Sequence, residues 1–272
     1  MLGDLKWGVE GGGRLTETER TLFLESLEQA RKPAPAAVIA RSHRRLRRVD
    51  PDRIDFPESA LARAAATLVI RAYSPALVHH CFRTYLWGLL LAQADGRPII
   101  DEEALFVAAL LHGLGVTEVY RGTQKDIACF AVEGALCAAD WLSRQGCGCG
   151  REQIIADAIA QQVNPGPDLL EGETARYLQA GVACDLLGWR GEEIPEPLAA
   201  EILALNPTVG IEVEFARLIE REYRERPASR LGLLVEAAGG RLPTLCPWRH
   251  AERTTAVSPV TSTEAALEAC PS

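Results

Sequence analysis

Apolar residues recur at three- and four-residue steps through most of the central chain, and stretches that alternate every second residue, as a half-buried strand requires, are few. "ESALARAAATLVIRAY" (58–73) is rich in Ala and Leu with Arg on its outer face and stops before Ser74 and Pro75, which predicts a helix with a defined end. A second helix begins after that Ser-Pro pair and runs through "ALVHHCFRTYLWGLLLAQA" to the turn signal at Asp95–Pro98. A third spans about 101–112, with Gly113 expected to close it in the left-handed conformation. "FAVEGALCAADWLSRQG", "REQIIADAIAQQV" and "ETARYLQAGVACDLLGW" repeat the helical pattern, and "PLAAEILALN" and "IEVEFARLIEREYRERPASRLGLLVEAAG" extend it. The expectation is an all-α bundle. The simplest division is an N-terminal extension (1–49), one helical domain (50–240) and a C-terminal arm (241–272), extended or disordered, where Pro, Ser and Thr replace apolar periodicity.

Composition narrows the function classes. The chain has 272 residues, 47% hydrophobic and 24% charged, the balance of a globular protein with a substantial core. A net charge of -8 disfavours general affinity for nucleic acid or an anionic membrane. The one dense basic run, "ARSHRRLRRVD" (40–50), reads as a solvated face. No apolar run approaches the roughly 20 residues that cross a bilayer, and the start lacks a signal-peptide pattern, so a cytoplasmic location is expected. The eight cysteines are then free thiols, and the "GCGCG" pair Cys147 and Cys149 has no second pair nearby to complete a four-thiolate zinc site.

The candidate chemistry rests on polar residues in apolar helices. Of five histidines, His79, His80 and His112 lie in such helices, where an imidazole needs a hydrogen bond or a metal. Asp185, in "GVACDLLGW", needs a cation or donors to remain ionised. Together they suggest one site at which three helices converge, and imidazoles with a carboxylate suit Zn, Fe or Mn. Arg83 and Tyr85 share the helix of His80 but cannot all face one centre.

At these residues the sequence resembles the HD-domain superfamily, within it the cyanamide hydratase-like branch. The segments that carry the resemblance are "IDFPESALARAA", "SPALVHHCFRTYLWG", "ALFVAALLHGLGVTE", "FAVEGALCAADWL", "IIADAIAQQ" and "ETARYLQAGVACDLLGW", within residues 50 to 240. The resemblance implies an HD-type helical bundle acting as a hydrolase or lyase on a small, nitrogen-containing molecule. The family's first histidine falls on His80, with His79 beside it, the His-Asp doublet on His112 and Gly113, a third histidine near Gln162, and the late aspartate on Asp185. A family glutamate corresponds to Ala131, leaving Glu133 two places further on. The missing doublet carboxylate argues against a two-metal phosphohydrolase centre.

Three readings stay open. His80, His112 and Asp185 hold one divalent metal, with Gln162 or water completing the shell; the same residues act as a metal-free acid–base site; or the pocket is a noncatalytic module for a small molecule or a protein. A nucleotide phosphohydrolase ranks below these. His79, Gln162, Tyr120 and Lys125 are the candidate substrate contacts, the last two on the connection "YRGTQKDIACF". The expected partner is a small-molecule substrate, with neither nucleic acid nor membrane, and homo-oligomer formation is left open.

Overall fold

The computed structural model describes residues 1–47, 49, 54–97, 99–240 and 248. Among them are twelve α-helices and no strand: α1 (Leu5–Gly11), α2 (Glu17–Ala30), α3 (Ala36–Leu46), α4 (Ala60–Ala72), α5 (Pro75–Asp95), α6 (Glu102–Leu111), α7 (Phe130–Arg144), α8 (Cys149–Gln161), α9 (Gly172–Leu187), α10 (Glu196–Leu205), α11 (Ile211–Glu225) and α12 (Arg230–Ala237). No described helix is long and apolar enough to cross a membrane.

Local chemistry sets the helix ends. The hydroxyls of Ser59 and Ser74 accept from the backbone N–H groups of Ala62 (3.0 Å) and Leu77 (3.2 Å), Pro75 occupies the first helical turn of α5, and Asp101 caps α6. Left-handed Gly96 (φ 72°) terminates α5, as the turn signal there implies. The expected left-handed closure at Gly113 does not occur: its φ of -86° and ψ of -2° are open to any L-residue, and a short 3-10 turn, Leu114–Val116, follows. The backbone does not demand glycine at 113.

α5, α6 and α9 form the centre, with Trp87, Leu90, Leu91, Leu105, Leu110 and Tyr177 essentially solvent-free. Two glycines let α5 and α9 touch backbone to backbone. A Cβ on Gly181 would lie 2.1 Å from the Thr84 carbonyl oxygen, and one on Gly88 would lie 2.7 Å from that of Tyr177. This contact aligns the face of α5 bearing His80, Arg83 and Trp87 with Asp185 on α9.

The segment expected as an N-terminal extension is helical and packs on the bundle. α1 lies against α7 and α8, where Asp157 accepts from the Leu5 backbone N–H at 2.9 Å. α3 lies against α5, and Ser42 donates to Glu193 at 2.7 Å. The C-terminal arm (241–272), with Cys246, His250 and Cys270, lies outside the described residues apart from Trp248. The six described cysteines are free, and four of them are buried.

Candidate functional site

The bundle brings His80, His112 and Asp185 into one row. The His80 Nδ1 lies 2.7 Å from an Asp185 oxygen, its Nε2 lies 3.1 Å from the Nε2 of His112, and the His112 Nδ1 lies 2.7 Å from the carbonyl oxygen of Ala109. His80 and Asp185 have no solvent exposure, and His112 is 3% exposed.

Asp185 is fully committed. Arg83 donates to both of its oxygens, from Nε at 2.7 Å and from a terminal nitrogen at 2.9 Å; Trp87 Nε1 donates at 2.9 Å, and His80 supplies the fourth donor. A carboxylate offers about four acceptor positions. Arg83 is anchored in turn, donating to the carbonyls of Asn206 (3.0 Å) and Pro207 (2.6 Å). Burial by itself would raise the pKa of Asp185, but the Arg83 guanidinium and the His80 hydrogen bond override it and hold the carboxyl well below the usual carboxylate range.

The partners fix the tautomers. An ionised carboxylate and a backbone carbonyl only accept, so both histidines donate from Nδ1 and, when neutral, turn bare Nε2 lone pairs toward each other. Burial pushes the pKa of His80 down, partly opposed by Asp185; burial, then the proximity of His80, pushes His112 down to about 3. The row therefore lacks one proton, and a single added proton between the two Nε2 atoms would complete it.

The metal reading meets this geometry directly. Asp185 has no oxygen lone pair left to give, and among the described residues no group of three or more His, Cys, Asp or Glu is arranged to hold a metal ion. Two converging imidazole nitrogens fall short of the three protein ligands usual for catalytic zinc, so the residues present do not fit the expected His80, His112 and Asp185 ligand set.

His112 borders a cavity of about 240 Å³ whose walls are mainly apolar, with Leu77, Val182, Leu186, Phe215, Ile219 and Leu231 among them. Phe215 presents its ring edge-on to His80 at 5.0 Å between centroids. Gly113 and Gln162 also line the cavity. The Gln162 amide nitrogen donates to the carbonyls of His112 (2.9 Å) and Ile159 (3.0 Å), which leaves its carbonyl oxygen as an acceptor. A Cβ on Gly113 would meet the Tyr73 ring at 3.4 Å, an ordinary contact.

The other expected substrate contacts lie elsewhere. His79, Tyr120 and Lys125 do not line this cavity: His79 is half-buried on another face of α5, Tyr120 packs on the main core, and Lys125 is exposed. Glu133 is buried and paired with Arg226 at 2.6 Å. Tyr85 turns away from Asp185 to pack on Phe56 and Phe106. Sequence reasoning did not assign Arg83 and Trp87 to Asp185, although their positions three and seven residues after His80 place them on its face of the helix. Trp248 stacks on Trp87 at 4.8 Å and 12°, and donates from Nε1 to the Cys184 carbonyl at 3.0 Å. Neither a protein-family model nor a curated protein matches the chain.

Proposed function

We propose that the chain is a metal-independent acid–base enzyme, HD-like in architecture, that hydrolyses or hydrates a small molecule or eliminates water from it. One observation carries the reading: the Nε2 atoms of two buried imidazoles lie 3.1 Å apart, His80 backed by the Asp185 carboxylate and His112 bordering a cavity of about 240 Å³. In hydration or hydrolysis a water O–H bond breaks as its proton passes to Nε2 and its oxygen bonds to the electrophilic carbon of the substrate, and that proton is then given to the substrate or leaving-group nitrogen; in elimination Nε2 takes a proton from the substrate and gives it to the departing hydroxide, which leaves as water. Asp185 orients His80 and stabilises the imidazolium charge, while Arg83 and Trp87 hold Asp185 in place. A nitrogen-containing functional group in the substrate is what the HD-domain resemblance suggests.

The cavity argues against a nucleotide substrate. At about 240 Å³ it is smaller than the roughly 300–1,000 Å³ of most ligand pockets, and among the described residues its lining holds one arginine or lysine, Arg31, which is exposed. A noncatalytic binding module is the second reading, favoured by the engagement of both His112 nitrogens within the row.

The test combines spectroscopy with turnover. Imidazole ¹⁵N spectra are expected to show Nδ1–H tautomers at His80 and His112 at neutral pH. Conversion of nitriles or amides should survive chelator treatment and vanish in His112→Ala. Hydration that is lost with chelator and restored by Zn, Fe or Mn would overturn the metal-independent assignment. Ligand-induced stabilisation without product would favour the binding module.

A further inference from the structure

The cavity has a chemical character of its own. A three-heavy-atom polar compound such as cyanamide would fill a small part of it and leave apolar walls unsatisfied. A cavity of about 150 Å³ holds benzene, so one of about 240 Å³ has room for roughly ten non-hydrogen atoms. Its polar groups are few: His112 and Gln162 lie beside the acid–base row, Gln179 on α9 and the exposed Arg31 lie elsewhere in the lining, and Glu222 on α11 is already paired with Arg121, while Phe215, Ile219, Leu231 and Val235 of α11 and α12 supply the hydrocarbon part of the wall. Ion pairs tie α11 and its C-terminal end to the rest of the molecule. Arg121 binds Glu222 (2.9 Å) and Glu225 (2.6 Å), and Arg226 binds Glu133 (2.6 Å). The hydrocarbon wall is thus held in place by charged contacts as well as by the apolar packing of Phe215, Ile219, Leu231 and Val235 on one another and on Leu187.

We infer that the site takes a substrate with a hydrocarbon body of roughly eight to ten carbons and one hydrogen-bonding head group, the head group lying at His112 and Gln162 and the body against α11 and α12. This rests on the proposed acid–base reading for what happens to the head group, but the hydrocarbon body follows from the cavity alone. Burying each added methylene in such a cavity raises affinity about fourfold until the space is full.

The experiment is calorimetric titration of the full chain with 1-alkanols from butanol to dodecanol. Affinity should rise about fourfold per carbon, reach its maximum near nine or ten carbons, and then fall. Ala183→Leu adds three carbons to the α9 wall and should move the maximum down by about three carbons; Val182→Phe, from a half-buried position on the same helix, should shorten it similarly if the first variant folds poorly. No saturable binding, affinity that climbs with length without a break, or a maximum unmoved in a folded variant would overturn the inference. His112→Ala separates the two proposals: affinity that still rises about fourfold per carbon with no turnover supports both, and the same rise with full turnover leaves the hydrocarbon site standing while removing the acid–base role.

Discussion

Replacing Asp185 with Asn tests the buried network at its centre. The change keeps the shape of the side chain but removes the charge that Arg83 neutralises, with all the groups involved out of solvent. Removing one partner of a buried ion pair typically costs about 3–5 kcal/mol, a large share of the roughly 5–15 kcal/mol that stabilises a domain. With a urea dependence of about 3 kcal/mol per molar, the midpoint should fall by about 1–1.7 M. The companion variant, Asp185→Asn with Arg83→Met, removes the guanidinium charge as well. The new amide can accept from Trp87 and donate to His80 Nδ1, so that His80 switches tautomer and donates from Nε2 to His112 across the present 3.1 Å contact. The double variant should therefore recover half or more of the lost stability. The assay is equilibrium urea unfolding followed by circular dichroism and tryptophan fluorescence, which also tests for two-state behaviour. A single-variant loss below about 1 kcal/mol, or a double variant no more stable than the single, would refute the account of Asp185 as an ionised carboxylate compensated mainly by Arg83.

Acid should destabilise the protein earlier than carboxylate titration alone predicts. The folded pKa of His112, about 3, lies below its unfolded value of about 6.5, so the contribution of its neutral form is complete above about pH 6.5 and is lost as pH falls toward 3, at up to about 1.4 kcal/mol per pH unit. Asp185, also lowered, adds its own loss below about pH 3.9; urea midpoints between pH 4 and 7 should flatten in His112→Gln, and an unchanged slope would contradict the assignment. Two glycine replacements should diverge in thermal unfolding. Gly113→Ala enters ordinary backbone space and should change stability by less than about 1 kcal/mol, whereas Gly181→Ala drives a methyl into the Thr84 carbonyl and should cost about 1–3 kcal/mol or more. Equal effects would mean that the close contact of α5 and α9 does not set the site.

Helical periodicity and Ser, Asp, Pro and Gly punctuation made most of the central helices legible in the sequence, because 3.6-residue spacing and capping are local properties. Polar residues in apolar helices likewise pointed to His80, His112 and Asp185, since a buried imidazole or carboxylate must find a partner. Which partners they find was not legible. The sequence allowed Asp185 to bind a metal; the packing of Gly88 against Gly181 instead brings Arg83, Trp87 and His80 around it and uses every oxygen lone pair. Gly113 looked like a helix terminator by residue type, yet its backbone angles require no glycine, and only the neighbouring Tyr73 ring shows what occupies the surrounding space. His79, Tyr120 and Lys125 have suitable chemistry but do not line the cavity, a matter of long-range packing that no local pattern records. The sequence by itself determined the helical class and the polar residues that had to be explained. Only the tertiary structure decided their partners and the apolar space beside them, because both are made by residues far apart in the chain.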